Sequence, residues 1–428
     1  MVDKRETACL RGLAQRYKDI ALSDEMQARK RQWTALNDLR PERPMILMET
    51  ITQEAFLDGY DFVCSEGPLK NVESRLVSLL RQHERLGDDV VFEPYFRIGW
   101  WGPAIEALAK EFGDIVIEEV RAKEASMAHL TNFPVKTPDD IKKLGHRKLY
   151  LDRSVSENVK KRLDEIFGDI LPVRLENTDF WYPDIGNQPF IGCNFPGITW
   201  NLFNLIGAES FMLWPYDHPD ELHGLMRFIT DDMKIYYDYL MDNGILDYNA
   251  DNQSVGGASY GYVSDLPSAS VKHDRKCTFK DLWCWSESQE SQAISPDMYA
   301  EFYLPYMAEI ANMFGLTYLG CCDNTINKFE KSVQQIHNIR KVSVSAWADP
   351  DEGAELLGRD YVYSRKPYPA LVSGANVDWD LVRQDARKSA RAAKDSIVEI
   401  IYRDIYSPNC TVERAAEFVS IWRNAFDF

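Results

Sequence analysis

The fold of this chain is decided by residues 283–324, which read WCWSESQESQAISPDMYAEFYLPYMAEIANMFGLTYLGCCDN. The stretch begins with a short aromatic run that is typical of a buried strand. Ser295-Pro296 then starts an amphipathic helix that ends near Gly315, and a second apolar run, LTYLGCC, follows directly. Strand, helix and strand joined by short connections indicate parallel strands with a crossover helix.

The same alternation extends from about residue 88 to the end of the chain. Strand-like runs occur before the stretch (VVFEPYF, DIVIEEV, LPVRLEN, ILDYNAD) and after it (RKVSVSAW, DYVYSRKP, SIVEIIYRD). The segment HPDELHGLMRFITDDMKIYYDYLMDNG is predicted to be a helix. No G-x-G-x-x-G follows any strand, which disfavours a dinucleotide-binding sheet. We predict an α/β fold: a (β/α)8 TIM barrel over residues 86–428, with an N-terminal helical extension or cover over residues 1–85.

Composition excludes several classes of function. The 428 residues carry 49 Lys and Arg against 67 Asp and Glu, and this net charge of −18 disfavours nucleic acid and anionic membrane surfaces as partners. We find no apolar run long enough to span a bilayer, and the N-terminus is charged where a signal peptide needs an apolar core. The eight cysteines lack disulfide-framework or zinc-ribbon spacing. We expect a cytoplasmic protein with mostly reduced thiols.

Function in such barrels collects where strands end, and the first strand of the stretch ends in acids. Glu287 comes directly after WCWS (283–286), and Gln289 and Glu290 follow it. A carboxyl group beside aromatic rings is partly desolvated, which raises its pKa toward use as a general acid, and an ionised one can bind metal. We predict that Glu287 is catalytic or metal-binding and that Trp285 and Gln289 contact substrate. An acidic turn before a helix is the alternative.

The second strand of the stretch ends in two thiols and a carboxylate, Cys321, Cys322 and Asp323. Since neighbouring residues on a strand point to opposite faces, only one thiol is expected to face the barrel axis. A thiolate there can hold Zn²⁺ and leave a coordination position for substrate. Two buried small apolar side chains are the alternative, because no H-x-C or C-x-x-C spacing accompanies the pair.

A later apolar strand ends in two cations, Arg365 and Lys366. Either can bind a substrate carboxylate or phenolate, Arg365 through two parallel hydrogen bonds and Lys366 as a point charge. A structural ion pair with an acid at another strand end, such as Asp251 or Asp404, is equally consistent with the pattern.

Two further strand ends complete the predicted pocket. Asp251 precedes a glycine-rich stretch, residues 254–261, that is typical of a lid, and we predict that Asp251 is a catalytic group that orients substrate. Arg97 and Trp100 lie in YFRIGWWGP (95–103) and are predicted to line one wall as substrate-binding residues. A structural aromatic corner is the alternative for this second segment.

From about residue 90 to 428 the chain resembles the uroporphyrinogen decarboxylase superfamily, near its bacterial branch and its corrinoid-dependent methyltransferases. The likeness is carried by SPDMYAEFYLPYMAEIANMFGLTYLGCCDN (295–324), which is similar to that superfamily's "SP-x-x-F-x-x-F-x-x-P-Y" helix and the strand after it. In the methyltransferases that strand ends in His-x-Cys. Gly320 stands at the His position and Cys322 at the Cys position. The decarboxylase signature MRQAGR is absent.

The resemblance implies a zinc site with an altered ligand set. Near the last strand, where the family has a further Cys, this chain has Arg403 and Asp404. The implied ligands are therefore Cys322, Glu287 and Asp404, with Cys321 beside them. The implied activity is transfer of a methyl group from a small, aromatic, O- or N-methylated compound to a cobalamin carried by a separate corrinoid protein, with Zn²⁺ as Lewis acid. Superfamily members are often homodimers.

Two other functions compete with methyl transfer. A metal-free decarboxylase of a small carboxylic acid or a uroporphyrinogen-like substrate would hold the carboxylate with Arg97, Arg365 or Lys366, and stoichiometric zinc would count against it. A non-enzymatic carrier of a corrinoid or small ligand would bind tightly without turnover. The concentration of polar groups at successive strand ends favours an enzyme over a carrier.

Overall fold

The structure is a computed structural model that describes residues 3–48, 53–65, 67–100, 111–121, 129–176, 181–182, 186–187, 195–405 and 409–426. Within these ranges the chain is a mixed α/β protein whose main element is a six-stranded parallel sheet. Residues 101–103, part of the predicted pocket wall, lie outside the described residues.

The parallel strands are apolar runs bounded by polar or turn-forming residues. They are β1 (Met45–Met48), β2 (Phe96–Gly99), β3 (Val173–Glu176), β4 (Trp283–Ser286), β5 (Leu316–Leu319), β6 (Ile339–Val344), β7 (Val362–Arg365) and β8 (Ile397–Tyr402). The main sheet has the order β1-β8-β7-β6-β5-β4, and β2 pairs with β3 in a second parallel sheet. Short antiparallel pairs lie between these strands: Glu111–Phe112 with Ile115–Val116, Glu119–Arg121 with His129–Thr131, Trp181–Tyr182 with Gly186–Asn187, and Ser254–Gly256 with Ser259–Tyr260.

The closed barrel that the alternation predicts is not shown, because no backbone ladder joins the two parallel sheets within the described ranges. Hydrogen bonds from side chains instead satisfy backbone groups on the edge strands. On the β4 edge, Asn249 Nδ2 donates to the Trp283 carbonyl at 3.1 Å, and the Trp283 N–H donates to Asn249 Oδ1 at 2.9 Å. On the β1 edge, an Asp89 carboxylate oxygen accepts the Ile46 N–H at 2.8 Å. The predicted strand at 245–251 is therefore irregular, with one isolated bridge at Ala250.

Helices pack around the sheets. They are Lys4–Ala21, Asp24–Asn37, Gln53–Leu57, Pro68–Arg85, Arg153–Leu163, Ile198–Asp217, Pro219–Asp242, Pro296–Phe302, Leu304–Ala311, Phe329–Gln335, Pro350–Leu357, Ala370–Ser373, Trp379–Ala392 and Val412–Ala425. In the described part of the chain, none of them is long and apolar enough to cross a membrane.

Two helix predictions have different outcomes. The helix expected before Gly244 is confirmed as Pro219–Asp242, and Gly244 follows it with φ 59°. The single helix expected over 295–315 is wrong, because the structure has two helices, Pro296–Phe302 and Leu304–Ala311. Pro305 stands at the junction, where it lacks the N–H that a continuous helix needs.

The two faces of the main sheet differ in chemistry. Residues that alternate along the strands and point outward, such as Val342 and Tyr363, join the large apolar core. On the inner face, Tyr318 pairs in register with Lys341, and Ser364 pairs with Glu399. Lys341 and Glu399 are fully buried. The inner face therefore carries ionic and hydroxyl groups that need polar partners.

An inserted hairpin supplies these partners. This hairpin, residues 254–260, lies on the inner face, where Ser259 Oγ donates to Glu399 Oε2 at 2.8 Å and Lys341 Nζ donates to the Tyr260 carbonyl at 3.0 Å. Asn37, at the end of the second helix, donates from Nδ2 to the same Tyr260 carbonyl at 3.0 Å. The second helix thus contacts the hairpin, and the N-terminal segment also contributes β1, which pairs with β8.

Candidate active site

The reactive side chains collect where β4, β5 and β8 end. The Cys322 thiol lies 3.4 Å from Asp404 Oδ2, and the Sγ atoms of Cys321 and Cys322 lie 3.5 Å apart. Cys321 is buried and Cys322 is half-buried. The expectation that only one thiol faces inward is wrong, because both cysteines follow the last residue of β5 and strand alternation has ended. We call Cys321, Cys322 and Asp404 the thiol–acid cluster.

Gly320 explains how the chain turns into this cluster. Its φ is 88°, a conformation that favours glycine, and a Cβ atom there would lie 2.0 Å from Thr325 Oγ1. The position at which the resembling family has His therefore cannot hold a side chain in this conformation. Asp404 also has a positive φ, 62°, which non-glycine residues adopt at a cost in free energy.

Glu287 lies at the end of β4 with a carboxyl group that is only partly satisfied. Glu287 is 5% exposed; Oε2 accepts the Gln289 N–H at 3.0 Å, and Oε1 has no hydrogen-bond partner in the described structure. Burial raises the pKa of Glu287 well above its usual range, and the nearby acidic groups Glu290, Cys321 and Asp323 raise it further. Surroundings of this kind favour the protonated form of the carboxyl group over the ionised form.

Two buried cations adjoin the cluster. Arg403 Nη1 donates to Cys321 Sγ at 3.5 Å, and its guanidinium carbon lies 5.5 Å from the centre of the Trp285 ring. Lys366 Nζ donates to the Tyr318 hydroxyl at 2.5 Å. The hairpin approaches both cations at Gly257, where φ is 49° and a Cβ atom would lie 2.4 Å from Lys366 Nζ. Two positively charged side chains thus lie next to the thiols.

The Cys321 thiol is held in its neutral form despite these cations. Its contact with Cys322 and its burial raise the pKa of Cys321 well above its usual value, and Arg403 opposes this shift. Since the thiolate is the nucleophile and the metal ligand, Cys321 needs a bound cation to ionise.

Arg97 and Asp251, both predicted to act on substrate, lie together at a different place. Asp251 is fully buried, and it accepts hydrogen bonds from Tyr95 Oη at 2.7 Å and from the Gln253 N–H at 2.8 Å as well as from Arg97. Arg97 also pairs with Glu176 and donates to Asn252. This network links β2, β3 and the segment before the hairpin.

The remaining predicted residues have other environments. Arg365 points to the outer face, where it donates to Ser389 Oγ at 3.0 Å, to the Ser345 carbonyl at 2.7 Å and to Asp385 Oδ1 at 3.0 Å. It therefore does not share the inner face with Lys366. The Gln289 side chain is exposed, and only its backbone contacts Glu287.

The two predicted tryptophans are both buried but differ in position. Trp285 Nε1 donates to the Gly320 carbonyl at 3.0 Å, and its ring lies 4.9 Å from that of Phe195. Trp285 therefore forms one wall of the thiol–acid cluster. Trp100 belongs to the large apolar core, with the Arg153 guanidinium carbon 5.5 Å from its ring centre.

Sequence reasoning missed three contributors to this region. Thr199 Oγ1 donates to Glu290 Oε2 at 2.8 Å, and Lys328, 2% exposed, donates from Nζ to the Ser291 carbonyl at 2.6 Å. Neither residue stands at the end of a strand, so no pattern pointed to them. Tyr318 could have been found, because it stands two residues before Gly320 on an inward position of β5.

The predicted zinc ligands come together only in part. Cys322 and Asp404 are in contact, and Cys321 contacts Cys322. Among the described residues, no group of three or more His, Cys, Asp or Glu side chains is arranged to hold a metal ion. A catalytic zinc site has three protein ligands, so the cluster as it lies supplies an incomplete set.

Comparisons with known proteins identify a likeness in structure only. No family model and no curated protein matches the chain. Among solved structures, the chain is similar to a methyltransferase from Methanosarcina mazei at 15% sequence identity and a TM-score of 0.46, over 92% of this chain and 98% of the other.

Proposed function

We propose that this protein is a methyltransferase that removes a methyl group from a small O- or N-methylated, aromatic compound and passes it to the cobalamin of a separate corrinoid protein. The observation that carries the proposal is the contact between the Cys322 thiol and the Asp404 carboxylate, 3.4 Å apart, beside the buried carboxyl group of Glu287. Sulfur and oxygen atoms that can bind a metal ion thus lie next to a carboxyl group that can donate a proton. The sequence resemblance agrees with this assignment.

Glu287 is the proton donor in this proposal. Loss of the methyl group to the cobalamin of the partner protein would leave the bonding electron pair on the substrate heteroatom, which is the oxygen of an alkoxide or phenolate for an O-methyl compound and the amine nitrogen for an N-methyl compound. Glu287 would give its proton to that atom, since burial raises its pKa and so favours its protonated form. Arg403 and Lys366 would stabilise the developing negative charge.

Zinc would be held by the thiol–acid cluster. Cys322 and Asp404 would be two ligands, and Cys321 would have to leave Arg403 to become the third. Bound zinc would polarise the substrate heteroatom as a Lewis acid. A protonated Glu287 is a poor ligand, so its role as acid and its predicted role as ligand exclude each other at any one moment.

One observation favours a second function, decarboxylation. Lys366 and Arg403 are buried cations on the inner face, and burial raises the pKa of Glu287 beside the cluster. Two cations suit a substrate carboxylate, and a neutral acid can protonate the carbanion left after CO2 departs. This reaction needs no metal, so metal content separates the two functions.

The test is metal analysis and activity on protein purified without an affinity metal. We expect about one zinc per chain, lost in Cys322→Ser and retained in Glu287→Gln and in the control Cys277→Ser, which changes a half-buried thiol outside the cluster. Reduced cobalamin should become methylated with methoxylated aromatics, and Glu287→Gln should slow this about 10²- to 10⁴-fold. If the wild-type protein contains no metal and releases CO2 from aromatic acids, the methyl-transfer proposal is refuted and the protein is a decarboxylase.

A further inference from the structure

Cys321 and Cys322 are the only neighbouring pair among the eight cysteines of the sequence. Both are free thiols, and their sulfur atoms lie 3.5 Å apart, directly after the turn at Gly320. An S–S bond is about 2.0 Å long. The two sulfur atoms therefore need to approach by only about 1.5 Å to form a disulfide.

The two thiols differ in their access to solvent. Cys322 is half-buried, whereas Cys321 is 3% exposed, so a small oxidant meets Cys322 first. The Cys322 thiol donates to Asp404 Oδ2 at 3.4 Å, and an adjacent base of this kind activates a nucleophile. Cys321 contacts the sulfur that has been oxidised instead of the oxidant itself.

Arg403 assists the attack by the buried thiol. Contact with Cys322 and burial raise the pKa of Cys321, which favours the neutral and less reactive thiol. Arg403 Nη1 donates to Cys321 Sγ at 3.5 Å, and a cation beside a thiol stabilises negative charge that develops on sulfur. The short distance between the two sulfur atoms also makes the attack effectively intramolecular.

A disulfide between neighbouring residues is strained by the backbone that joins them. The peptide bond between Cys321 and Cys322 is trans, which holds the two Cα atoms about 3.8 Å apart. Disulfides usually join Cα atoms that are about 4.4–6.8 Å apart. Strained disulfides are readily reduced, so a dithiol can open a bond formed here again.

We propose that Cys321 and Cys322 are a reversible oxidation site, which a hydroperoxide converts into a disulfide. In the first step the Cys322 sulfur attacks the peroxide and the O–O bond breaks. Cys322 becomes a sulfenic acid, and its thiol proton leaves with the alcohol, or with water when the oxidant is hydrogen peroxide.

In the second step the Cys321 sulfur displaces the sulfenic oxygen of Cys322, which leaves as water together with the Cys321 proton. The two sulfur atoms have then given two electrons to the peroxide. A dithiol reverses the reaction by thiol–disulfide exchange and is itself oxidised to a disulfide.

The modification would switch off the thiol–acid cluster. A metal ligand must be a thiolate, so a disulfide would remove both Cys321 and Cys322 as ligands. This effect on methyl transfer rests on the proposed function, whereas formation of the disulfide does not.

The test counts free thiols in one tryptic peptide. Trypsin cleaves after Lys280 and Lys328, and the peptide 281–328 contains three cysteines, because Cys284 precedes the pair. Cys284 is 0% exposed and serves as the unreactive reference. The full chain is treated with hydrogen peroxide, unfolded and alkylated, and the peptide is analysed by mass spectrometry.

The expected number of alkyl groups follows from the three thiols of this peptide. We expect three groups without peroxide and one after peroxide, with the disulfide located between Cys321 and Cys322 by fragmentation. Three groups should return when excess reduced thioredoxin, a dithiol protein, treats the oxidised protein before it is unfolded.

Two variants separate the roles of the thiols. In Cys321→Ser the sulfenic acid on Cys322 should persist and react with dimedone, because the attacking thiol is absent. In Cys322→Ser dimedone should not label the peptide, and both remaining thiols should be alkylated after peroxide. The control Cys277→Ser changes a half-buried thiol outside the cluster and should behave like wild type.

The opposite results overturn the proposal. Wild type that keeps three alkyl groups after peroxide, or that forms a sulfinic acid instead of a disulfide, excludes this oxidation site. A disulfide that thioredoxin does not open excludes reversibility. Because thiol counting requires no substrate, a reversible disulfide in a protein that transfers no methyl group supports the oxidation site and refutes only the proposed function.

Discussion

Replacing Lys341 by methionine should destabilise the protein severely, because it removes one half of a fully buried ion pair. Lys341 Nζ lies 3.0 Å from Glu399 Oε2, and both side chains are 0% exposed. The remaining carboxylate would keep only the 2.8 Å hydrogen bond from Ser259 Oγ, while its Oε1 already has no partner among the described residues. Breaking a buried pair in this way costs about 3–5 kcal/mol, or roughly 150- to 5,000-fold in the folding equilibrium.

The assay is urea unfolding followed by tryptophan fluorescence. Arg383→Ala is the control, since its pair with Asp380 is 41% and 84% exposed and should contribute at most about 1 kcal/mol. The double variant Lys341→Met, Glu399→Leu removes both charges and should be more stable than Lys341→Met alone. The reasoning is refuted if Lys341→Met costs no more than the control, or if the second substitution adds to the loss.

Two further predictions concern the candidate site. Burial, followed by the nearby charge of Glu290, raises the pKa of Glu287, so the contribution of this group to stability is complete below the ordinary pKa of 4.5 and is lost as pH rises toward the raised pKa. The melting temperature of Glu287→Gln should therefore rise relative to that of wild type as pH increases from about 5 to 8. A difference in melting temperature that does not depend on pH would contradict this prediction. Gly257→Ala should lower the free energy of unfolding by about 1–3 kcal/mol, because the new Cβ atom would meet Lys366 Nζ and the backbone has a positive φ. The control, Gly224→Ala, lies in a helix with open space around the Cβ atom and should raise the free energy of unfolding by up to about 1 kcal/mol. Equal effects of the two substitutions on thermal unfolding would refute the steric argument.

Sequence patterns predicted the parallel strands of the main sheet, whereas the closed barrel is not shown by the described residues. Apolar runs such as that of β8 are long enough to define a strand, and the carboxyl ends of parallel strands meet at one edge of a sheet. The pairing of Cys322 with Asp404 was implied by the family resemblance rather than by the strand pattern. Closure depends on single side chains, Asn249 at one sheet edge and Asp89 at the other, which replace backbone partners. No periodicity encodes such replacements.

The position at which a strand stops decides what its terminal residues can do. Arg365 is the last residue of β7 and Lys366 is the next, and they still obey alternation: one contacts the helix Trp379–Ala392 and the other the inner face. Cys321 and Cys322 do not, because Gly320 turns the backbone immediately after β5. Had the strand continued by three residues, through Cys322, the thiols would point to opposite faces of the sheet. The turn at Gly320 therefore comes directly before the two sulfur atoms, which lie 3.5 Å apart, and an added Cβ atom there would meet Thr325 Oγ1 at 2.0 Å.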